Sequence, residues 1–403
     1  MITRGEQMLA LRRRRMAATH PFLRGGFRPF FFGGAAWGLV ALLLWLCSLM
    51  GEITLPTAFD ALAWHRHEML FGFAGAVIAG FLLTAIPNWT GRLPIAGKPL
   101  LALFGLWFAA RIALLFSSIA GPLIPALLDV GFFVTLAMFA GREVLAANNR
   151  NLPVVGVVLA FGGAGALDHA GAAGLIDPDL GWQIALSLVI LLISLIGGRI
   201  TPSFTRNWMA KQGIREGMPT QPGRFDLLVI GMTAVALLGW ITAPGGFVAG
   251  GLLLVAGLLQ AVRLARWNGM RAVRDPLVLV LHVGYAWIPA GLLLLGLSTA
   301  GLPVARSAAV HALTAGAMTT MIFAVMTRAT LGHTGRELRA SAATVALYGL
   351  VTLGALLRIL ASLGLVDYRI GLDLAGLAWA GGVILFLAAY GPMLWRPRLG
   401  ETA

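Results

Sequence analysis

Residues 184–196 read IALSLVILLISLI, a run of thirteen residues without a charged side chain. A strand of a membrane β-barrel alternates apolar and polar residues, and this run shows no such alternation. Inside lipid, only helices and closed barrels satisfy every backbone hydrogen bond. The run therefore predicts a helix that crosses a membrane.

The composition of the whole chain predicts further membrane-crossing helices. Hydrophobic residues make up 59% of the 403 residues and charged residues only 11%, whereas soluble domains carry about 25% charged residues. Since one crossing needs about 20 apolar residues, the sequence predicts an all-α polytopic membrane bundle of about twelve transmembrane helices. Cys47, the single cysteine, excludes an intrachain disulfide, and we expect it to lie in the core.

Apolar runs separated by short polar segments, several of which contain proline, locate the helices along the chain. The predicted spans are 30–50, 65–87, 99–119, 122–146, 153–173, 181–198, 225–242, 245–264, 276–298, 306–326, 341–363 and 372–394. Residues 30–395 then form the transmembrane domain. Residues 1–29 form a basic, amphipathic cytoplasmic segment, and residues 396–403 form a cytoplasmic tail.

The distribution of lysine and arginine sets the orientation of the chain. If both termini are cytoplasmic, 25 of the 30 basic residues fall in cytoplasmic segments, as the positive-inside rule requires. The formal net charge of +14 is therefore explained by topology, and it does not indicate a nucleic-acid partner.

Three similar segments lie at predicted inner helix ends, four helices apart. They read GFLLTAIPNWTGR at 80–92, GGRITPSFTRNW at 197–208 and VMTRATLGHTGR at 325–336. Repetition at a fixed spacing is the signature of a repeated structural unit. We therefore put forward the hypothesis of three units of four helices, with chance similarity between short loops as the alternative.

The histidines are the most informative polar residues, because ionisable groups in membranes are costly and usually functional. Near the outer boundary, the sequence WHRHEM places His65 and His67 about 200° apart around a helix. They cannot bind one ion together, but Met69 shares a face with His65. His311 lies near the outer end of the tenth helix. Histidine and methionine can hold a haem iron, whereas interfacial contacts with headgroups are the alternative.

A second set of histidines lies toward the inner boundary. It comprises His20 before the first helix, His282 early in the ninth helix, and His333 after the tenth. Tyr285 is three residues after His282 and shares its helix face. A single buried hydrogen-bonded pair is the alternative interpretation of these two residues.

Four motifs, in this order, resemble those of the NnrS family. They are HPFLRGGFRPFFF at 20–32, WHRHEMLFGF at 64–73, LHVGYAWIPAG at 281–291 and HALTAGAMTTMIFAVMTRATLGHTGR at 311–336. The resemblance runs from His20 to Trp395, nearly the whole chain. It implies a bacterial inner-membrane protein of twelve helices that contains haem, expected to be b-type, and copper. It also implies a link to nitric oxide metabolism and relief of nitrosative stress in denitrifiers and other bacteria.

The six histidines named above fall in family-like motifs, whereas His169 does not, and we interpret His169 as a loop residue. About 25 Å separates the outer and inner sets, from roughly seventeen residues at a 1.5 Å rise, so we expect two cofactor sites. The outer set, with Met69, is expected to include haem ligands. The inner set is expected to bind a second metal or haem, and which site holds copper stays open. Glu68 and Tyr285 are candidate catalytic residues that handle protons or hydrogen bonds.

The leading functional hypothesis is an oxidoreductase of the lipid bilayer that reduces nitric oxide with electrons from an unknown donor. A sensor, or a protector of metal centres without turnover, is the second hypothesis. A transporter is the third, although transporters usually carry discontinuous helices around a midplane site.

Overall fold

The computed structural model describes residues 18–400, together with Gln7, Ala10 and Leu11. About half of the predicted N-terminal segment, including its arginine run at 12–15, and the last three residues of the predicted tail lie outside this part. The described part is all-helical and contains no strand. The predicted fold class is therefore confirmed.

Twelve helices of the described residues are long and apolar enough to cross a membrane, as predicted. They are α1 (Phe27–Leu49), α2 (Ala61–Thr90), α3 (Lys98–Leu115), α4 (Leu123–Ala146), α5 (Leu152–Ala172), α6 (Leu180–Lys211), α7 (Arg224–Thr242), α8 (Phe247–Ala265), α9 (Pro276–Thr299), α10 (Arg306–His333), α11 (Ala342–Ser362) and α12 (Tyr368–Trp395). A short helix at Pro21–Leu23 precedes α1, and short helices at Ser117–Ala120 and Gly269–Ala272 lie between long helices.

The helices α2, α6 and α10 extend further than predicted, and α6 shows the largest difference. Its predicted end at residue 198 is wrong, because the helix continues to Lys211 through Pro202. This last part is polar, so apolar run length alone does not reveal it. A proline inside a membrane helix is tolerated where nearby groups satisfy the freed backbone.

The same three helices each contain a π-helical segment, at Glu68–Ala74 in α2, Ile193–Gly197 in α6 and Ala312–Met318 in α10. π-helical turns are rare in proteins, and those that occur often lie at functional sites. Because the three helices stand four apart in the chain, the shared feature supports the hypothesis of repeated four-helix units, which stays a prediction.

The helices group into two compact units. The first contains the described residues of Met1–Ala185, Ala329–Glu337 and Leu387–Ala403, and the second contains Leu186–Arg328 and Leu338–Phe386. The first unit thus holds α1–α5, and the second holds α7–α9, α11 and most of α10.

Large apolar side chains lie on the outer surface of the helices. Phe247 is 84% exposed and Leu127 is 64% exposed, as expected where lipid is the surrounding solvent. Cys47 on α1 is also exposed, so the expectation that it lies in the core is wrong. In lipid an apolar side chain gains little from burial, and hydrophobicity therefore does not indicate which face points inward.

Candidate metal centre

A cluster of buried charged side chains lies in the first unit. We name it the His67 cluster, and its members come from four successive helices: His67 and Glu68 from α2, Arg111 from α3, Asp129 from α4, and Asp168 and His169 from α5. Each is at most 6% exposed. The cluster lies near the helix ends that the charge pattern predicts to face outward, and His67 is about 9 Å along α2 at a 1.5 Å rise per residue.

The start of α2 is locally well specified. Asp60 caps the helix, and its side chain accepts hydrogen bonds from the backbone N–H groups of Leu62 and Ala63. The π-helical segment then begins at Glu68, immediately after His67. Within it, Gly72 lies beside the Glu68 carboxylate, and a Cβ atom added at Gly72 would collide with Oε2 of Glu68. The segment needs a glycine here because any side chain would displace the carboxylate.

Both ring nitrogens of His67 contact carboxylates. Nδ1 lies 2.8 Å from Asp168 Oδ2 and Nε2 lies 2.9 Å from Asp129 Oδ2. A neutral imidazole carries one N–H, so only one of these contacts can be an ordinary hydrogen bond from the ring. The other requires a second proton or a bound cation. Metal-binding histidines commonly donate their other N–H to a carboxylate, which matches the contact with Asp168.

His169 completes a group suited to a metal ion. Ligand atoms of His67, Asp129 and His169 all lie within 4.8 Å of one another. Nε2 of His169 is 3.4 Å from Asp129 Oδ2, and neither ring nitrogen of this buried histidine has a hydrogen-bond partner among the described residues. Two imidazoles and one carboxylate form a ligand set typical of iron, copper and zinc sites, so these residues fit a first-row transition metal.

Arg111 connects two of the acidic residues of the cluster. Its guanidinium donates to Glu68 Oε2 at 2.9 Å and also to Asp129. Trp37 of α1 donates to the same oxygen of Glu68 at 2.5 Å. With the three carboxylates and the one guanidinium of the cluster ionised and both histidines neutral, two negative charges remain uncompensated. A divalent cation would balance them, and uncompensated charge is expensive in a membrane interior.

The other residues predicted for the outer site lie elsewhere. The His65 ring stacks on Trp45 with centroids 4.0 Å apart, so His65 and His67 face different neighbours, as their spacing implies. Met69 is half-buried in the π-helical segment. His311 belongs to the second unit, where its Nδ1 lies 2.7 Å from the backbone carbonyl of Ser307.

The three histidines predicted for the inner site have separate surroundings. His20 caps the short helix Pro21–Leu23 and accepts a hydrogen bond from the backbone N–H of Phe22. His333 packs against Phe27 at 5.4 Å between centroids. Both belong to the first unit, whereas His282 belongs to the second, where it contacts the Thr205 hydroxyl at 2.8 Å.

Tyr285 belongs to a second buried polar network, also in the second unit. Its hydroxyl donates to Gln260 at 2.6 Å and accepts from Arg263 at 2.9 Å. Arg263 in turn donates to Asp226 at 2.7 Å and to the backbone carbonyl of Ser194 at 2.8 Å. The charges within this network balance, because its one arginine pairs with its one carboxylate.

The interpretation of His169 as a loop residue is wrong. It lies in the last turn of α5, is 6% exposed and faces His67. The interpretation relied on the family motifs, none of which covers residues 168–169. The signal that could have found it is the Asp168-His169 pair inside an apolar helix, together with Arg111 and Asp129 in neighbouring helices.

Gly72→Ala should disturb the cluster without changing any of its charged residues. We expect this substitution to lower the free energy of unfolding by about 1–3 kcal/mol, the usual cost of overpacking, and to weaken metal binding. Thermal unfolding and metal analysis of the purified protein in detergent measure both effects. Gly131→Ala on α4 is the control, because a Cβ atom added there would have nothing within 4 Å. Equal behaviour of the two variants would contradict the role assigned to Gly72.

The fold and the cluster together define a polytopic membrane protein with a buried candidate metal centre. The family model of the NnrS protein matches residues 21–398, and the chain therefore belongs to the NnrS family. This family of membrane proteins is linked to the nitric oxide response and associated with metal or haem binding. No curated protein in the comparison matches the chain.

Proposed function

We propose that this protein is a haem- and copper-containing oxidoreductase of the bacterial inner membrane that reduces nitric oxide. The observation that carries the proposal is the His67–Asp129–His169 group, buried inside a membrane bundle of the NnrS family. Two imidazoles with one carboxylate suit copper or iron, and copper is the metal that the sequence resemblance implies. When bound, the metal would supply an electron-transfer and nitric oxide-binding centre.

The reaction sets a requirement that the protein side chains must meet. Two molecules of nitric oxide, two electrons and two protons give nitrous oxide and water. A one-electron donor must supply the electrons, and the site must supply the protons. Glu68 is the proposed proton carrier, since its Oε2 is fixed by Trp37 and Arg111 while its buried Oε1 has no hydrogen-bond partner.

The remaining residues keep their proposed roles within each unit. Tyr285 is proposed as the hydrogen-bonding group of the second unit, where Arg263 and Gln260 hold its hydroxyl. His65 and Met69 remain candidate cofactor ligands of the first unit. His20, His282 and His333 remain candidates for a further metal. The proposed topology has both termini in the cytoplasm, with residues 30–395 as the membrane domain.

The deciding experiment is anaerobic incubation of the purified protein with nitric oxide and a one-electron donor. We expect nitric oxide to disappear and nitrous oxide to form, with haem in the pyridine haemochrome spectrum and copper in metal analysis. The variant Glu68→Gln should retain both cofactors and lose turnover. A stable nitrosyl spectrum without nitrous oxide would instead favour a sensor or a protector of metal centres. Absence of any nitric oxide consumption or nitrosyl signal would remove both interpretations.

A transport function has less support. The long helices α2, α6 and α10 stay continuous through their π-helical segments, whereas secondary transporters usually carry broken helices at the substrate site. Uptake assays in proteoliposomes would show substrate accumulation if transport were the activity.

A further inference from the structure

The second unit repeats the positions of the His67 cluster on α10, α11 and α12. In α10, His311 is the last residue before the seven-residue π-helical segment Ala312–Met318. In α2, His67 is the last residue before the seven-residue segment Glu68–Ala74. Because π-helical segments are rare, a histidine immediately before one in both helices argues against chance similarity and for a structural repeat.

The correspondence continues on the next two helices. Arg358 lies four residues before the end of α11, and Arg111 lies four residues before the end of α3. Asp373 is the sixth residue of α12, and Asp129 is the seventh of α4. A histidine, an arginine and an aspartate thus recur in the same helix order.

The charged side chains of this repeated group are not paired as in the first unit. Arg358 is 9% exposed, and its guanidinium donates to the Ser307 hydroxyl at 3.1 Å and to the Ser362 hydroxyl. Its Nε has no hydrogen-bond partner, and no carboxylate of the described residues forms an ion pair with it. Asp373 has a buried Oδ1 without a partner as well. By contrast, Arg111 pairs with both Glu68 and Asp129.

An arginine buried in a membrane span without an acid is costly, and such residues mark ligand sites. The planar guanidinium presents a fork of N–H donors that matches the two oxygens of a carboxylate. The groups that contact Arg358 are neutral, namely the two serine hydroxyls and the ring of Tyr368, whose centroid lies 5.6 Å away. The positive charge therefore calls for an anion from outside the chain.

His311 adds an available ligand atom beside this arginine. Its Nδ1 lies 2.7 Å from the Ser307 carbonyl, which can only accept, so Nδ1 carries the proton and Nε2 carries the lone pair. This arrangement is the usual one for a histidine that binds a metal. Ser307 contacts both side chains, since its hydroxyl accepts from Arg358 and its carbonyl accepts from His311.

We infer that Arg358, with Ser307, binds a planar carboxylate-type oxyanion beside His311. A propionate of a haem whose iron is held by His311 is one source of this chemistry, and a free planar oxyanion such as nitrite is the other. The haem source rests on the proposed function and assigns the two cofactors to different units. The His67 group takes the metal ion, and the His311 group takes the haem.

The test uses the full-length protein, purified in detergent, with the variants Arg358→Gln and Arg358→Lys. The control is Arg369→Gln, which replaces an exposed arginine of α12. If the wild-type protein contains haem, Arg358→Gln should hold it at least about tenfold more weakly, because hydrogen bonds to charged groups are worth about that factor. Arg358→Lys keeps the charge and loses the fork, so it should fold normally and show a smaller loss. The control should match the wild type.

Haem retention is measured by dilution and transfer to an acceptor protein, and the haem midpoint potential gives a second readout. Unchanged retention and an unchanged potential in Arg358→Gln and Arg358→Lys would overturn the propionate source. In a wild-type protein without haem, the proposed haem chemistry fails, and titration with nitrite then tests the free oxyanion. Nitrite binding that disappears in Arg358→Gln supports the anion site. Absence of nitrite binding to such a protein overturns the inference.

Discussion

Replacing Arg111 with leucine is expected to lower the free energy of unfolding by about 3–5 kcal/mol, the usual cost of removing one partner of a buried ion pair. The substitution leaves Glu68 and Asp129 without their shared cation at a fully buried position. Two facing carboxylates then repel each other in a medium of low dielectric. Thermal unfolding in detergent, followed by intrinsic tryptophan fluorescence, measures the loss.

The matched control is Arg66→Leu, at the same end of the first unit. Arg66 pairs with Asp179 at 3.1 Å, but the two side chains are 22% and 33% exposed. Because exposed pairs contribute only about 0–1 kcal/mol, this variant should unfold near the wild-type temperature. Similar losses in both variants would contradict the view that burial makes the Arg111 pairs decisive.

The helix count could be predicted from the sequence, whereas the composition of the site could not. The length of an apolar run reflects the thickness of the bilayer, so each of the twelve spans is recognisable in the sequence as such a run. The polar end of α6, from Arg199 to Lys211, is not recognisable in this way, because an inner helix end and a loop share the same residue types. The predicted end of α6 at residue 198 was accordingly wrong, because the helix continues through Pro202 into this polar part.

The candidate metal-binding group shows more clearly what the sequence alone could not predict. His67 and Glu68 were found because they stand together in one motif at the start of α2. Asp129 and His169 come from α4 and α5, and only packing of the helices brings them to His67. A polar residue near a helix end suits the membrane interface as well as the bundle interior, and hydrophobicity cannot separate the two cases in lipid. The prediction for Cys47 was wrong for the same reason, since this apolar residue was expected in the core and lies on an exposed face of α1.

Removal of the proposed metal ligands is expected to have the largest effect on cofactor content. His169→Ala should weaken metal binding more than about 100-fold, because even partners outside the ligand set cost roughly 10–100-fold. Its ring nitrogens form no hydrogen bond among the described residues, so its loss should affect folding little. Gly131→Ala is the control in the same unit, since a Cβ atom added there would meet nothing within 4 Å.

Asp168→Asn distinguishes the role of a metal ligand from that of a carboxylate that supports a ligand. An asparagine keeps the shape and the hydrogen-bond acceptor for His67 Nδ1 but lacks the charge, so we expect metal affinity to fall by about 10–100-fold. Copper titration with a competing chelator gives the three affinities, and the expected order, from tightest to weakest, is Gly131→Ala, then Asp168→Asn, then His169→Ala. Equal affinity in His169→Ala and the wild type would remove His169 from the ligand set. Because His67 would then keep its carboxylate contacts without a second imidazole, a protonated His67 would become the better explanation of the cluster.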